Sequence, residues 1–158
     1  MKYIKKAILC CFYIFVVCLV SLCLYTFLMV DVCGKKYANI FGYTYFVVSS
    51  GSMSGSIEVN DIVIIKIDSE YKKNDIITFL DKDGNFITHR VIEANGNKII
   101  TKGDSNNSED KIIEKEDVLG KIVKIFPNFG KWKKIFLSPA VLIAIFSTLT
   151  IFSFVFSY

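Results

Sequence analysis

Three short polar segments interrupt an otherwise apolar chain, and together they contain a nucleophile, a base and two acids. They are the Ser/Gly run 49–56, the tripeptide Thr88-His89-Arg90, and the run 102–110, which contains Asp104 and Asp110. A serine becomes an effective nucleophile when a base removes its proton, and an imidazole can be that base at neutral pH. A carboxylate then orients the ring and stabilises the imidazolium. The three segments together predict acyl transfer by a serine.

His89 is the only histidine of the chain, so a Ser–His mechanism can use no other base. A single histidine also excludes multi-histidine metal sites. Strand alternation puts His89 on the same face as Ile87 and Val91, which predicts that its ring lies toward the packed side. Taken one at a time, the polar segments are also consistent with a flexible loop, a half-buried histidine and a turn that binds a cation loosely.

The segments that must position these residues have the pattern of short β-strands. Their windows are rich in β-branched and aromatic residues, and the turns Asp83-Gly84-Asn85 and Asn95-Gly96 separate neighbouring windows. No window has a sustained apolar period of 3.6 residues, so long amphipathic helices are not expected. We predict a mainly β domain of folded-over antiparallel sheets over residues 31–134, with strands over 43–49, 61–67, 75–80, 86–93, 97–102 and 118–126.

Two segments without any charged residue flank this domain, residues 7–30 and 135–158. As a helix, each would be about 36 Å long, which is enough to cross a hydrocarbon core of ~30 Å. They account for much of the 53% hydrophobic content. We predict a cytoplasmic N-terminus over 1–6, transmembrane helices over 7–30 and 135–158, and an extracytoplasmic catalytic domain between them. This organisation is that of a multi-pass protein of the cell membrane.

Charge and cysteine positions narrow the function further. The formal net charge is +4, but the segment 31–134 is almost neutral and the excess comes from lysines before residue 7. Those lysines favour a cytoplasmic N-terminus by the positive-inside rule, and the near-neutral domain does not favour binding to nucleic acid. Cys33, beside the membrane, is the only cysteine outside the first apolar segment, so the domain has no internal cysteine pair. We expect no metal and no cofactor.

The polar segments match four sequence motifs in order and spacing. Ser50-Gly51-Ser52-Met53 matches a nucleophile motif, 75–79 the strand that follows it, 88–93 a general-base motif that contains histidine, and 101–106 with Asp110 an acidic motif. In this combination the chain resembles type I signal peptidases, in the branch of the endoplasmic reticulum, archaea and some Gram-positive bacteria. It is similar above all to the bacterial members of that branch.

The resemblance implies a role for each matched residue. Ser52 would be the nucleophile, and its backbone N–H would form the oxyanion hole with the hydroxyl of Ser50. His89 would be the general base, at a position where most bacterial signal peptidases have a lysine. Asp110 would orient the imidazole, and Asp104 would support the site structurally or share that task.

The resemblance also implies the activity and the partners. The chain would be a membrane-bound serine endopeptidase that cleaves signal peptides from translocated preproteins beside the lipid bilayer. An extended substrate would pair along the strand 43–49, and Met53 and Val47 would lie at its pocket. Small pockets would accept the Ala-like residues of the A-x-A pattern. The need for accessory subunits, as in the endoplasmic reticulum complex, stays open.

Gly55 departs from the family pattern, which usually has a proline at this position. Proline would fix φ and glycine frees it, so the rigidity of the nucleophile turn is in question. The departure keeps an alternative open, a membrane-anchored β domain that binds or assembles surface proteins and has a degenerate peptidase site. A further alternative is a self-cleaving Ser–Lys regulator with Lys66 or Lys98 as base, although neither lysine lies in the matching motif.

Overall fold

The computed structural model describes residues 2–136, 143–144, 147 and 150. They divide into two compact units, Met1–Thr44 and Tyr45–Tyr158. The first unit contains helix α1, Lys2–Phe27, which continues into the π-helical turn Leu28–Val32.

The apolar part of the first unit is Lys6–Val32, which by its length and composition is able to cross a membrane. The predicted helix over 7–30 is therefore confirmed as a helix. The second unit contains helix α2, Phe129–Phe136. The second predicted span, 135–158, lies largely outside the described residues, so the flanking of the domain by two helices stays a prediction.

The second unit is built on an antiparallel sheet, which confirms the prediction of a mainly β domain. Within the described residues its strands form one curled seven-stranded sheet, rather than separate sheets folded over each other, in the order β1-β2-β7-β3-β4-β5-β6. The strands are β1 Tyr43–Val47, β2 Ile62–Ile67, β3 Ile76–Leu80, β4 Phe86–Asn95, β5 Lys98–Lys102, β6 Ile113–Glu114 and β7 Val118–Phe126. The two-residue strand β6 was not predicted, because so short a segment has no recognisable period.

One buried cluster of this sheet lies across β3, β4 and β5 and consists of Ile77, Phe79, Val91 and Ile99. Full burial of one such side chain contributes about 1.5–3 kcal/mol. In the antiparallel register of β3 and β4, Ile77 is paired with His89. Paired residues of antiparallel strands project to the same face, so the sheet fixes His89 beside its core.

Candidate active site

The imidazole of His89 is buried and contacts a carboxylate. His89 is only 5% exposed, as the alternation of β4 predicted, and its Nδ1 lies 2.5 Å from Oδ2 of Asp110. That oxygen also accepts a hydrogen bond of 2.7 Å from the hydroxyl of Thr101, and the backbone N–H of Asp110 donates to the Thr101 carbonyl at 2.8 Å. Strand β5 therefore holds Asp110 against His89, although Asp110 itself lies outside the strands.

This contact determines which ring nitrogen can take up a proton. An ionised carboxylate only accepts hydrogen bonds, so Nδ1 of a neutral His89 must be the donor to Asp110. The lone pair of the neutral ring is then on Nε2. An imidazole in this tautomer can act as a general base through Nε2, while the carboxylate stabilises the positive charge that develops.

Ser52 lies on a tight turn between β1 and β2. The turn is closed by backbone hydrogen bonds from Ser54 N–H to Gly51 O at 3.0 Å and from Ile57 N–H to Met53 O at 2.8 Å. The hydroxyl oxygens of Ser50 and Ser52 are 3.4 Å apart. Such a turn presents the serine side chain while its backbone stays fixed.

Ser52 and His89 line the same cavity, which has a volume of about 440 Å³. Val47 and Met53, predicted at the substrate pocket, line it as well, and Met53 is only 2% exposed. Among the described residues, no hydrogen bond joins the Ser52 hydroxyl to the imidazole. Catalytic hydrogen bonds of this type commonly tighten when substrate binds. Because both side chains line one cavity, a substrate bound there could contact both of them.

Residues 103–105, in the acidic motif, contact the turn that carries Ser52. Ser105 donates from its N–H to Ser52 O at 2.9 Å and from its hydroxyl to Ser54 O at 2.9 Å. A Cβ at Gly103 would lie 2.6 Å from Ser52 O, so this close approach requires glycine. The backbone of Ser52 is thus fixed by a segment that lies far from it in sequence.

Among the described residues, no hydrogen bond joins Asp104 to the imidazole, and the Asp104 carboxylate is paired with Arg90 instead. The guanidinium donates from Nε to Oδ1 at 2.8 Å and from Nη2 to Oδ2 at 2.7 Å. It also donates to Asn74 O at 2.9 Å and to Ser56 Oγ at 3.2 Å. The hydrogen bonds from Arg90 hold the pKa of Asp104 below its usual value, against the opposing effect of burial. Of the two candidate acids, the structure brings Asp110 to His89 and pairs Asp104 with Arg90.

Two contacts of the site were not predicted from the sequence. Alternation on β4 indicates that Arg90 lies on the face opposite His89, but the sequence has no signal that its partner is Asp104. The hydrogen bond from Thr101 to Asp110 had only its position in the acidic motif as a signal. The alternative bases Lys66 and Lys98 are not among the described residues that line the cavity. Within the described ranges, no group of three or more His, Cys, Asp or Glu side chains could hold a metal ion.

Comparison with known proteins relates this site to peptidases. The family model described as Peptidase S24-like matches residues 37–123, a range that contains all four predicted catalytic residues, Ser52, His89, Asp104 and Asp110. Among individual proteins, signal peptidase I W of Bacillus subtilis (strain 168) is 33% identical over 78 residues, which cover 45% of this chain and 41% of the relative.

Two fungal relatives are similar to this chain over a longer range. The signal peptidase complex catalytic subunits SEC11 of Metarhizium robertsii and Metarhizium acridum are 29% and 30% identical over 100 residues, which cover 53% of this chain and 58% of each relative. The chain therefore spans about half the length of the curated relatives it matches. The chain belongs to the Peptidase S24-like family, and within that family it resembles type I signal peptidases of the branch that contains SEC11 and signal peptidase I W.

Proposed function

We propose that this chain is a serine endopeptidase, a type I signal peptidase that removes signal peptides from preproteins. The observation that carries the proposal is the arrangement around His89, whose Nδ1 is held by Asp110 while its ring lines the same cavity as Ser52. A binding module has no need for an imidazole in a fixed tautomer that lines one cavity with a half-buried serine.

The proposed reaction is acyl transfer through Ser52. Its Oγ attacks the scissile carbonyl carbon while Nε2 of His89 takes the hydroxyl proton, and Asp110 stabilises the imidazolium. The backbone N–H of Ser52 and the hydroxyl of Ser50 donate to the oxyanion. His89 then returns the proton to the leaving amine, which leaves an acyl-enzyme. Water attacks the ester with His89 again as base, and the Ser52 hydroxyl is regenerated.

The cavity and the sheet edge support a peptide substrate with small apolar residues. Among the described residues, strand β1 is the first strand of the sheet order and is paired only with β2, so an extended peptide can add to its other edge by backbone hydrogen bonds. Side chains that point from such a peptide into the cavity meet the apolar surfaces of Val47 and Met53. These features fit the Ala-like residues that precede signal-peptide cleavage sites.

The apolar helix supports a location at the membrane. Lys6–Val32 has the length and composition of a span, and such an anchor keeps the active site near the bilayer surface, where signal peptides emerge. We propose an extracytoplasmic position for the β domain and a second span over 135–158. Accessory subunits belong to the same proposal, since SEC11 is the catalytic subunit of a complex.

A reactive-serine probe separates this proposal from the binding or assembly factor that Gly55 left open. A fluorophosphonate forms a covalent bond only with an activated serine hydroxyl. We expect the wild-type chain in detergent to be labelled at Ser52, with no labelling of Ser52→Ala or His89→Ala. Ser108→Ala, which removes an exposed hydroxyl outside the cavity, is the matched control and should be labelled like the wild type. Absence of label on the wild-type protein would favour the binding function.

A further inference from the structure

In the turn that carries Ser52, the carboxylate of Glu58 binds the backbone of Gly55, the position where the family usually has proline. Gly55 adopts a φ of +95°, and its backbone N–H donates a hydrogen bond of 2.7 Å to Oε1 of Glu58. The other carboxylate oxygen, Oε2, accepts a hydrogen bond of 3.0 Å from the hydroxyl of Ser54. Both oxygens of Glu58 are therefore used on the two residues that directly follow Ser52-Met53.

Proline could not form this arrangement. Its ring fixes φ near −65° and it has no N–H to donate, whereas the structure uses both a positive φ and the N–H at residue 55. A glycine at this position leaves the turn more conformational freedom than proline would. Hydrogen bonds to an ionised acceptor are among the stronger ones in proteins, and two of them on adjacent residues restrict the freedom that the glycine introduces.

Glu58 is itself fixed to the core of the domain through a second carboxylate. Its backbone N–H donates at 2.8 Å to Oδ2 of Asp61, which is only 4% exposed. The other oxygen of Asp61 accepts from the N–H of Asn128 at 2.8 Å, two residues after the end of β7. The restraint on the nucleophile turn therefore continues from Gly55 through Glu58 and Asp61 to the turn that follows a central strand.

We infer that Glu58 is a positioning residue for the nucleophile, replacing the restraint of the missing proline by hydrogen bonds to Gly55 and Ser54. Glu58 does not line the cavity that contains Ser52 and His89, so it acts on the reaction through the turn. The catalytic part of this inference rests on the proposed function. Displacement of a reacting group by about 1 Å can reduce a rate by about 100-fold, so loosening the turn affects the chemical step.

We call the two hydrogen bonds from Gly55 and Ser54 to the Glu58 carboxylate the clamp. The first experiment tests whether the clamp exists and does not depend on activity. Hydrogen exchange of the Gly55 amide, measured by NMR on the full chain in detergent, should be slow in the wild type and at least about 10-fold faster in Glu58→Ala, because an open amide loses its protection. Glu58→Gln keeps an oxygen that can accept from Gly55 and should retain part of the protection. Glu116→Ala, which removes an exposed carboxylate from another turn, is the control. Unchanged exchange in Glu58→Ala would overturn the inference.

The second experiment measures the consequence for the reaction. For cleavage of a labelled preprotein, normalised to the fraction of folded protein, Glu58→Ala should reduce kcat by about 10-fold and leave KM within about twofold of the wild type. Glu58→Gln should fall between the two, and Glu116→Ala should match the wild type. A loss explained wholly by the folded fraction, or a change confined to KM, would contradict a positioning role.

A double-mutant cycle tests whether Glu58 acts through Ser54, as the geometry requires. Residues that share one network give non-additive effects, so Ser54→Ala should reduce kcat by a smaller factor in the Glu58→Ala background than in the wild type. Independent reductions of kcat, whose factors multiply in the double variant, would overturn this part of the inference. If the wild type neither cleaves the preprotein nor reacts with the fluorophosphonate, the proposed function is wrong, and the exchange of Gly55 alone decides whether the clamp exists.

Discussion

Asp110 lies 2.5 Å from Nδ1 of His89 through the same oxygen that accepts the hydroxyl hydrogen bond of Thr101. Thr101 of β5 therefore positions the carboxylate, and the carboxylate positions the imidazole. This order of contacts explains how a residue in an irregular segment can act with a histidine 21 residues earlier.

Replacement of Asp110 by asparagine should remove most of the activity and leave the fold intact. An amide NH2 can donate to Nδ1, which moves the ring proton to Nε2 and removes the base. We expect kcat to fall by about 10³–10⁴-fold with little change in KM. Asp104→Asn is the comparison, since the partner of Asp104 is Arg90. It should reduce the free energy of unfolding and change kcat much less than Asp110→Asn does. Equal losses of kcat in the two variants would contradict the assignment.

The use of an imidazole as base predicts a loss of activity in acid. Only the neutral ring can accept the proton of Ser52. We expect kcat/KM of the wild type to decrease as the medium is made more acidic, and His89→Ala to be inactive at every pH. Full activity of His89→Ala would instead support a lysine base such as Lys66 or Lys98.

The pairing of Asp104 with Arg90 predicts a stability that is lost in acid. Because the pKa of Asp104 is lower in the folded chain, its contribution is fully present above the unfolded value of about 3.9 and is lost as the pH falls through the folded value. Arg90→Lys, which removes the two parallel hydrogen bonds, should reduce the free energy of unfolding at pH 7 by about 1 kcal/mol or less, because solvent screens this partly exposed pair.

Urea unfolding of the full chain in detergent at pH 7 and at pH 3 measures this effect. The loss of stability between the two pH values should be smaller in Asp104→Asn than in the wild type. Asp83→Asn, which changes an exposed carboxylate on a hairpin turn, should behave like the wild type. The same acid dependence in Asp104→Asn and the wild type would show that the pair does not stabilise the fold.

The close approach of Gly103 to the nucleophile predicts that Gly103→Ala impairs both stability and activity. The added Cβ would lie 2.6 Å from Ser52 O and 2.8 Å from Nδ2 of Asn106, and such crowding costs about 1–3 kcal/mol. Gly96→Ala is the contrast, because residue 96 has a φ of +60° and open space around it. It should reduce stability by about 1–2 kcal/mol without a change in kcat. An unchanged kcat in folded Gly103→Ala would contradict support of Ser52 by this segment.

The strands and the burial of His89 could be predicted because alternation is a local signal. The pattern of 86–93 placed the imidazole on the packed side, and β4 confirms this placement. The choice between Asp104 and Asp110 could not be made, because it depends on the path of an irregular segment between β5 and β6. The single curled sheet was also beyond prediction, since sheet closure depends on strand pairing between distant segments.

The nucleophile turn shows a different limit of prediction. The sequence put the rigidity of the turn at Gly55 in question, because the glycine was considered without the side chain of Glu58 that binds it. The structure gives that position a positive φ and a hydrogen bond to Glu58, and neither could be read from a motif that ends before residue 58. The replacement of the usual proline by Gly55 is accompanied by a hydrogen bond to the side chain of Glu58, three residues later.

The most direct test of the proposed peptidase activity is cleavage of a labelled preprotein by the wild-type chain and by Ser52→Ala in lipid vesicles, with the cut mapped by mass spectrometry. The wild type should release the signal peptide by a single cut after an A-x-A sequence, and Ser52→Ala should leave the preprotein intact although it inserts into the vesicles equally well. Equal cleavage by the two proteins, or an intact preprotein with both, would contradict the proposal that this chain is a serine signal peptidase.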